Sequence, residues 1–110
     1  MTLEQFTDGI GSLLQRYGVQ EIHERNTHER RAWKAPRGEQ AAIITSDPSS
    51  IFWPAKLGLG VFLEDGTWKA VGLGAPQIPL PLALNDYGAK TAAILILQFF
   101  GIENDLKVTA

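Results

Sequence analysis

Apolar positions near the start of the chain recur every three or four residues: Leu3, Phe6, Ile10, Leu13, Leu14 and Tyr17. That period puts them on one stripe of an α-helix. Thr2 and Gln5 have the spacing of a capping box, in which each side chain satisfies a free backbone N–H at the helix start. Gly18 stands where a left-handed C-terminal cap is wanted. Gly9 and Gly11 weaken the middle by up to ~1 kcal/mol each relative to alanine, so this helix depends on packing of its stripe.

Residues 19–31 fit two periods. As a helix, Glu21 with Arg25, Glu24 with His28 and Arg25 with Glu29 are i,i+4 pairs, each weakly stabilising. As an extended segment, the same residues make a polar edge strand. Beyond them the pattern favours strands over 30–35 and 40–46, separated by Pro36-Arg37-Gly38. Asp47-Pro48-Ser49-Ser50 has the composition of a turn.

Residues 60–64 and 67–73 flank Asp65-Gly66, the signature of a β-hairpin with a two-residue loop. Such a loop pairs Glu64 with Thr67, Leu63 with Trp68 and Val61 with Ala70. One face then carries Val61, Leu63, Trp68 and Ala70, and the other Phe62, Glu64, Thr67 and Lys69. A sheet with one buried side needs that division.

Residues 74–84 hold three of the six prolines and suit neither a central strand nor a helix interior. Ile78, Leu80, Leu82 and Leu84 make them an ordered connection over apolar surface. Asn85 or Asp86 can then cap a second helix of about 15 residues, closed by Gly101. Its body, AKTAAILILQFF, is apolar nearly all round, which predicts burial on most of its circumference. Ile94, Leu95, Leu97 and Phe99 are therefore expected in the core or in a dimer interface. Residues 103–110 either add a short strand or fray. The fold expected is α+β, one domain over 1–110: a mainly antiparallel sheet of about four or five strands, with an N-terminal and a C-terminal helix packed on one face.

Composition removes several kinds of chemistry. The chain has no cysteine, hence no disulfide, thiolate metal site or cysteine nucleophile. The formal charge of −2 supplies no general attraction for nucleic acid or anionic membrane. The apolar block at 92–102 is shorter than the ~20 residues a bilayer span requires. The opening MTLEQFTDGIG lacks the basic start and apolar run of a signal peptide, so a cytoplasmic location is expected.

Both histidines lie in HERNTHERR, at positions 23 and 28. A zincin motif needs histidines four apart; at five apart they diverge by roughly 140° on a helix and face opposite ways on a strand. No metal and no cofactor is expected, and a solvated face of mixed charge is the simpler account. Arg25, Arg30, Arg31, Lys34 and Arg37 flank Trp33, which admits nucleic-acid contacts through Arg30, Arg31, Lys34 and Arg37. Glu21, Glu24, Glu29 and Glu39 nearly cancel that charge, and a strand over 30–35 would split it between two faces. Tyr87-Gly88-Ala89-Lys90-Thr91 lacks the spacing of a phosphate-binding loop, and no G-x-S-x-G elbow exists, so no catalytic residue is assigned.

What remains is aromatic. Trp33, Trp53 and Trp68 each lie on or beside an expected strand, where packing is the ordinary role. Together with Pro76, Ile78 and Pro79 they also form a candidate surface for a protein partner or a small apolar ligand. The expected function is a small non-enzymatic binding or interaction module, homodimeric. A nucleic-acid-binding protein using residues 25–37, or a small enzyme without a linear motif, are the alternatives.

Overall fold

A computed structural model describes residues 1–46, 54–71 and 80–107. The first helix, α1 (Leu3–Gln15), begins as its sequence requires. Gln5 N–H donates to Thr2 Oγ1 at 3.1 Å and Thr2 N–H donates to Gln5 Oε1 at 2.9 Å, completing the capping box. Phe6, Ile10 and Leu14 are fully buried, with Leu3, Leu13 and Tyr17 packed around them. Gly18 ends the helical turn at φ 81°, the left-handed conformation that glycine adopts without strain.

The sheet is antiparallel throughout. Its strands are β1 (Gln20–Glu21), β2 (Arg30–Lys34), β3 (Gln40–Ser46), β4 (Ala55–Phe62), β5 (Trp68–Ala70) and β6 (Leu80–Leu82). β1 to β5 follow one another as a meander. β4 is long enough to hold two partners along one edge. Gly60, Val61 and Phe62 pair with β5, while Ala55, Lys56 and Leu57 pair with β6. The second helix, α2 (Asp86–Phe99), is capped by Asn85, whose side chain accepts Gly88 N–H at 2.8 Å. Gly101 follows at φ 72°. Neither helix is long and apolar enough to cross a membrane.

Both helices pack on one face of the sheet and against each other, as the pattern of buried side chains shows. Trp33 from β2 and Ala35 just after it, Ala42 and Ile44 from β3, and Ala55, Leu57 and Leu59 from β4 pack into this core. Alternate residues point the other way, as a pleated strand dictates. Ala89, Ala92, Ala93, Ile96 and Leu97 bring α2 into the same core.

Of the two alternatives for residues 19–31 the extended one holds at its start, and the connection before α2 gains a strand. Residues 19–31 are not a helix: after the short edge strand β1 comes a 3₁₀ turn, His23–Arg25, and a bridge between Thr27 and Arg30. Glu21 finds its partner at Arg31 on the neighbouring strand instead of at Arg25. The connection before α2 contains β6, and its Pro81 sits where a missing N–H is tolerated, on a strand with β4 on one side only. The expected turn at 47–50 lies outside the described residues.

The hairpin is shifted by one residue. Phe62 pairs with Trp68, Val61 with Lys69 and Gly60 with Ala70. Its loop has three residues, 64–66: Leu63 N–H donates to Thr67 O at 2.8 Å, and Gly66 N–H closes back on Leu63 O at 2.8 Å. Gly66 alone takes a left-handed φ, 87°. Three-residue loops with one left-handed residue are the next commonest hairpin class after the two-residue kind. A one-residue change of register exchanges the faces, so Trp68 joins Phe62 on the side away from the helices. Gly66→Ala is expected to cost about 1–2 kcal/mol through the left-handed penalty, read as a lower urea midpoint. Its added Cβ would also fall 2.4 Å from Arg25 Nη1.

β4 begins five residues before the expected start, at Ala55. Gly58 and Gly60 both lie within the strand. A Cβ on Gly58 would meet Ile43 Cγ1 at 2.9 Å and Trp68 Cζ2 at 3.4 Å; one on Gly60 would reach the Lys69 carbonyl oxygen at 2.1 Å. Close approach explains glycine at both places.

Candidate functional site

The face of the sheet away from the helices collects residues that the sequence scatters. Register aligns Ala32, Ile43 and Gly58 across it, and Lys34, Ala41, Gly60 and Ala70 beside them. No described helix covers this face. The 3₁₀ turn runs along β2 instead, with Ala32 N–H donating to Asn26 Oδ1 at 2.9 Å, and Ala32 is fully buried.

Phe62 and Trp68 meet edge to face on this surface, their centroids 5.1 Å apart and their planes at 65°. Two guanidiniums stand over Phe62: Arg30 with its Cζ at 5.2 Å from the ring centroid, and Arg25 at 5.6 Å. Arg30 is held in place by the Arg25 carbonyl oxygen, which accepts from its Nε at 3.2 Å and its Nη2 at 2.9 Å. Such cation–π contacts contribute about 0.5–1 kcal/mol each at accessible sites. Among the described residues neither arginine forms a salt bridge. A hollow of about 230 Å³ adjoins the cluster between Arg25, Lys34, Ala41 and Phe62, with Glu24 and Glu39 on its rim.

The basic segment is thus divided, as strand alternation predicts. Arg30 and Lys34 lie on the outer face, whereas Arg31 points to the helix side. Arg37 is exposed in the β2–β3 connection. Arg31 is the polar centre of the α1–sheet junction. Its Nη2 meets Glu21 Oε1 at 2.6 Å, and its Nη1 meets Asp8 Oδ1 at 2.6 Å and Thr7 Oγ1 at 2.9 Å. Its guanidinium also stands 5.5 Å from the Trp33 ring centroid. Burial pushes the Glu21 carboxyl up, but hydrogen bonds from Arg31 and Asn26 and the charges of Arg31 and His23 outweigh it and hold the group below the usual glutamate range. Sequence reasoning missed Asp8, Glu21 and Asn26, because their spacing from Arg31 is tertiary.

Of the candidate aromatic surface, only Trp33 and Trp68 lie within the described residues; Trp53, Pro76, Ile78 and Pro79 lie outside them. Trp68 is half-buried on the outer face. Trp33 is 1% exposed and belongs to the core, which withdraws it from any surface a protein partner covers. The space between sheet and helices is filled by Trp33, Phe6, Ile10, Leu14, Ile44, Ile96 and Leu97. In α2, Leu97 is core, Leu95 and Phe99 pack against the core, and Ile94 is half-buried outside that cluster.

Among the described residues three carboxylates are displaced from their ordinary range, all downwards. They are Glu21, Asp65 through the backbone N–H of Thr67, and Asp105 through the hydroxyl of Tyr17. His23 lies in the 3₁₀ turn and His28 in the following turn; no group of three or more potential ligands among the described residues could hold a metal ion.

The architecture defines an α+β domain with one helix-covered sheet face and a second face where Ala32, Ala41 and Ile43 are buried and the half-buried Phe62 and Trp68 meet Arg25 and Arg30. The chain matches no protein-family model, no curated protein and no solved structure.

Proposed function

We propose that this chain is a non-enzymatic binding module that holds an acidic segment of a protein partner against the outer face of its sheet. The observation that carries this reading is the cluster of Arg25 and Arg30 over Phe62 beside Trp68. Arginine and tryptophan are the residues in which interface binding energy concentrates. Among the described residues neither arginine is in salt-bridge contact with a carboxylate, although the Arg25 charge acts on Asp65, and a partner carboxylate would supply a charge-assisted, forked hydrogen bond.

The same patch is the place where nucleic acid would bind. Against that alternative, Phe62 is already occupied by two of the protein's own guanidiniums, and Glu24 and Glu39 would repel phosphates at the adjoining hollow. Titration with a peptide of alternating glutamate and leucine, and with oligothymidylate, separates the two in nuclear magnetic resonance spectra. We expect the peptide to shift Ile43, Phe62 and Trp68 resonances, and Arg30→Ala to weaken it about tenfold, the loss of an interface contact worth over 1 kcal/mol. Binding of oligothymidylate alone, falling steeply with salt, would replace this reading by the nucleic-acid one.

The homodimer is a separate proposal resting on α2, where Ile94, Leu95 and Phe99 are only half-buried. Light scattering over a concentration series tests it, and a monomer throughout removes it.

A further inference from the structure

A second cleft lies on the opposite side of the molecule, where α1 crosses the β1–β2 edge. It measures about 590 Å³ and its walls include Asp8, Gly11 and Ser12 from α1 and Glu21, Arg31 and Trp33 from the sheet. That volume falls within the range of small-molecule sites, ~300–1,000 Å³.

Trp33 is 99% enclosed, at 1% exposure, yet its indole N–H donates to no acceptor among the described residues. No side-chain nitrogen or oxygen of the described residues is both sealed from solvent and unpartnered. The sliver of Trp33 that remains accessible therefore includes this N–H, and the cleft is where it emerges. Indole N–H groups at buried positions ordinarily find a partner.

Gly11 keeps the way to it open. A β-carbon at residue 11 would stand 3.6 Å from Trp33 Nε1 and 3.8 Å from Arg31 Nη2. Those are ordinary contacts, so alanine fits there; its methyl group would lie on the indole donor. Gly9, one turn-fraction away on the same helix, has nothing within 4 Å of its β-position.

The electrostatics specify the other end of a ligand. Two carboxylates, Asp8 and Glu21, flank a single guanidinium, Arg31, and His23 Nδ1 lies 3.5 Å from Glu21 Oε2 on the same wall, so the wall carries an excess negative charge when His23 is neutral. The Asp8 side chain is 61% exposed and reaches solvent at the cleft mouth.

We propose that this cleft binds a small primary-amine ligand carrying an oxygen acceptor, the acceptor taking the Trp33 indole N–H and the ammonium lying beside Asp8 and Glu21. The site is independent of the outer sheet face, and either can fail without the other.

The test follows the Trp33 indole signal in nitrogen-15 spectra, identified by its loss in Trp33→Phe. Glycinamide and ethanolamine carry both groups, acetamide the acceptor alone and ethylamine the cation alone. Glycinamide or ethanolamine is expected to shift the signal saturably, and acetamide and ethylamine to bind about tenfold more weakly or worse, the cost of one unmade polar contact. Gly11→Ala is expected to weaken binding at least about tenfold by leaving the donor unpaired, whereas Gly9→Ala changes the dissociation constant less than about twofold because it touches nothing. Asp8→Asn should weaken glycinamide while sparing acetamide, a readout that persists if Gly11→Ala disturbs the helix. Failure of both two-group probes to saturate would show that the indole N–H meets only water, and would overturn the proposal. Equal binding by wild type and Gly11→Ala would overturn it as well.

Discussion

Gly88→Ala is expected to lower stability by about 3 kcal/mol, the upper end of ordinary overpacking. Gly88 lies in the first turn of α2, where glycine is not favoured, and alanine would normally improve the helix by up to ~1 kcal/mol. The surroundings reverse the sign. A β-carbon at 88 would stand 1.9 Å from the Ala83 carbonyl oxygen and 2.9 Å from its carbon. These are backbone atoms, and they cannot rotate aside as a side chain would. The segment carrying them leads directly from β6, whose Leu82 pairs with Ala55 at the sheet. To admit the methyl group, either this connection leaves β4 or α2 lifts from the core. Thermal unfolding should show a fall of roughly 10–20 °C for a domain of this size, and urea unfolding a lower midpoint. The internal contrast is Gly9→Ala, the same substitution in α1, which should raise stability by up to ~1 kcal/mol because nothing opposes it. Equal effects at the two positions would show that α2 does not dock on residue 83.

Arg31→Met is expected to cost about 2–3 kcal/mol, because it leaves a mostly buried carboxylate and a buried hydroxyl without their principal donor. Glu21 has a side-chain exposure of 16%, and Thr7 is 5% exposed. Methionine preserves much of the apolar stem over Trp33, so the loss reports the polar contacts. Asn26 still donates to Glu21 Oε2, at 2.5 Å, which moderates the damage. Adding Glu21→Gln to Arg31→Met should recover part of the loss, since a neutral amide is less costly to leave unpaired than a carboxylate; the double-mutant cycle gives the coupling directly.

The same pair makes stability depend on pH with a defined sign. The folded Glu21 carboxyl is held below its unfolded value. The unfolded chain therefore takes up the proton first, and stability falls as pH falls. The contribution is complete above the ordinary glutamate range near 4.3 and is lost as pH drops through the lower folded value. Urea unfolding between about pH 6 and pH 3 should thus show a shallower loss for Glu21→Gln than for wild type. Parallel curves would mean that the Arg31 contact does not favour the ionised carboxylate.

Local signals were legible where local physics decides. The α1 cap is a matter of Thr2 and Gln5, three residues apart, and the α1 stripe of Phe6, Ile10 and Leu14 needs only the helical period. β3 spans 40–46 as its alternation and β-branched residues indicate, and α2 starts after Asn85 and is followed by Gly101, as their cap chemistry predicts. The division of Arg30 from Arg31 follows from strand alternation alone.

Other features depended on atoms far along the chain. Asp65-Gly66 announces a hairpin, but the choice between a two-residue and a three-residue loop turned on what Trp68 packs against. Pairing it with Phe62 set Trp68 edge to face against the ring that lies beneath Arg25 and Arg30 and laid the indole over Gly58. Glycines 58 and 60 interrupt the apolar alternation, so their place within β4 became visible only once Ile43, Trp68 and the β5 backbone were seen against them. The one carboxylate within four residues of Arg31 in the sequence, Glu29, is not its partner. It bonds Glu21 and Asp8 because register and helix docking bring these within 2.6 Å. The sequence by itself determined the elements, their caps and the faces of the longer strands, because those depend on spacing along the backbone. Tertiary structure decided the hairpin register, the clustering of arginines over Phe62 and the cleft at Trp33. Each of those is set by the packing of side chains whose separation along the chain carries no signal.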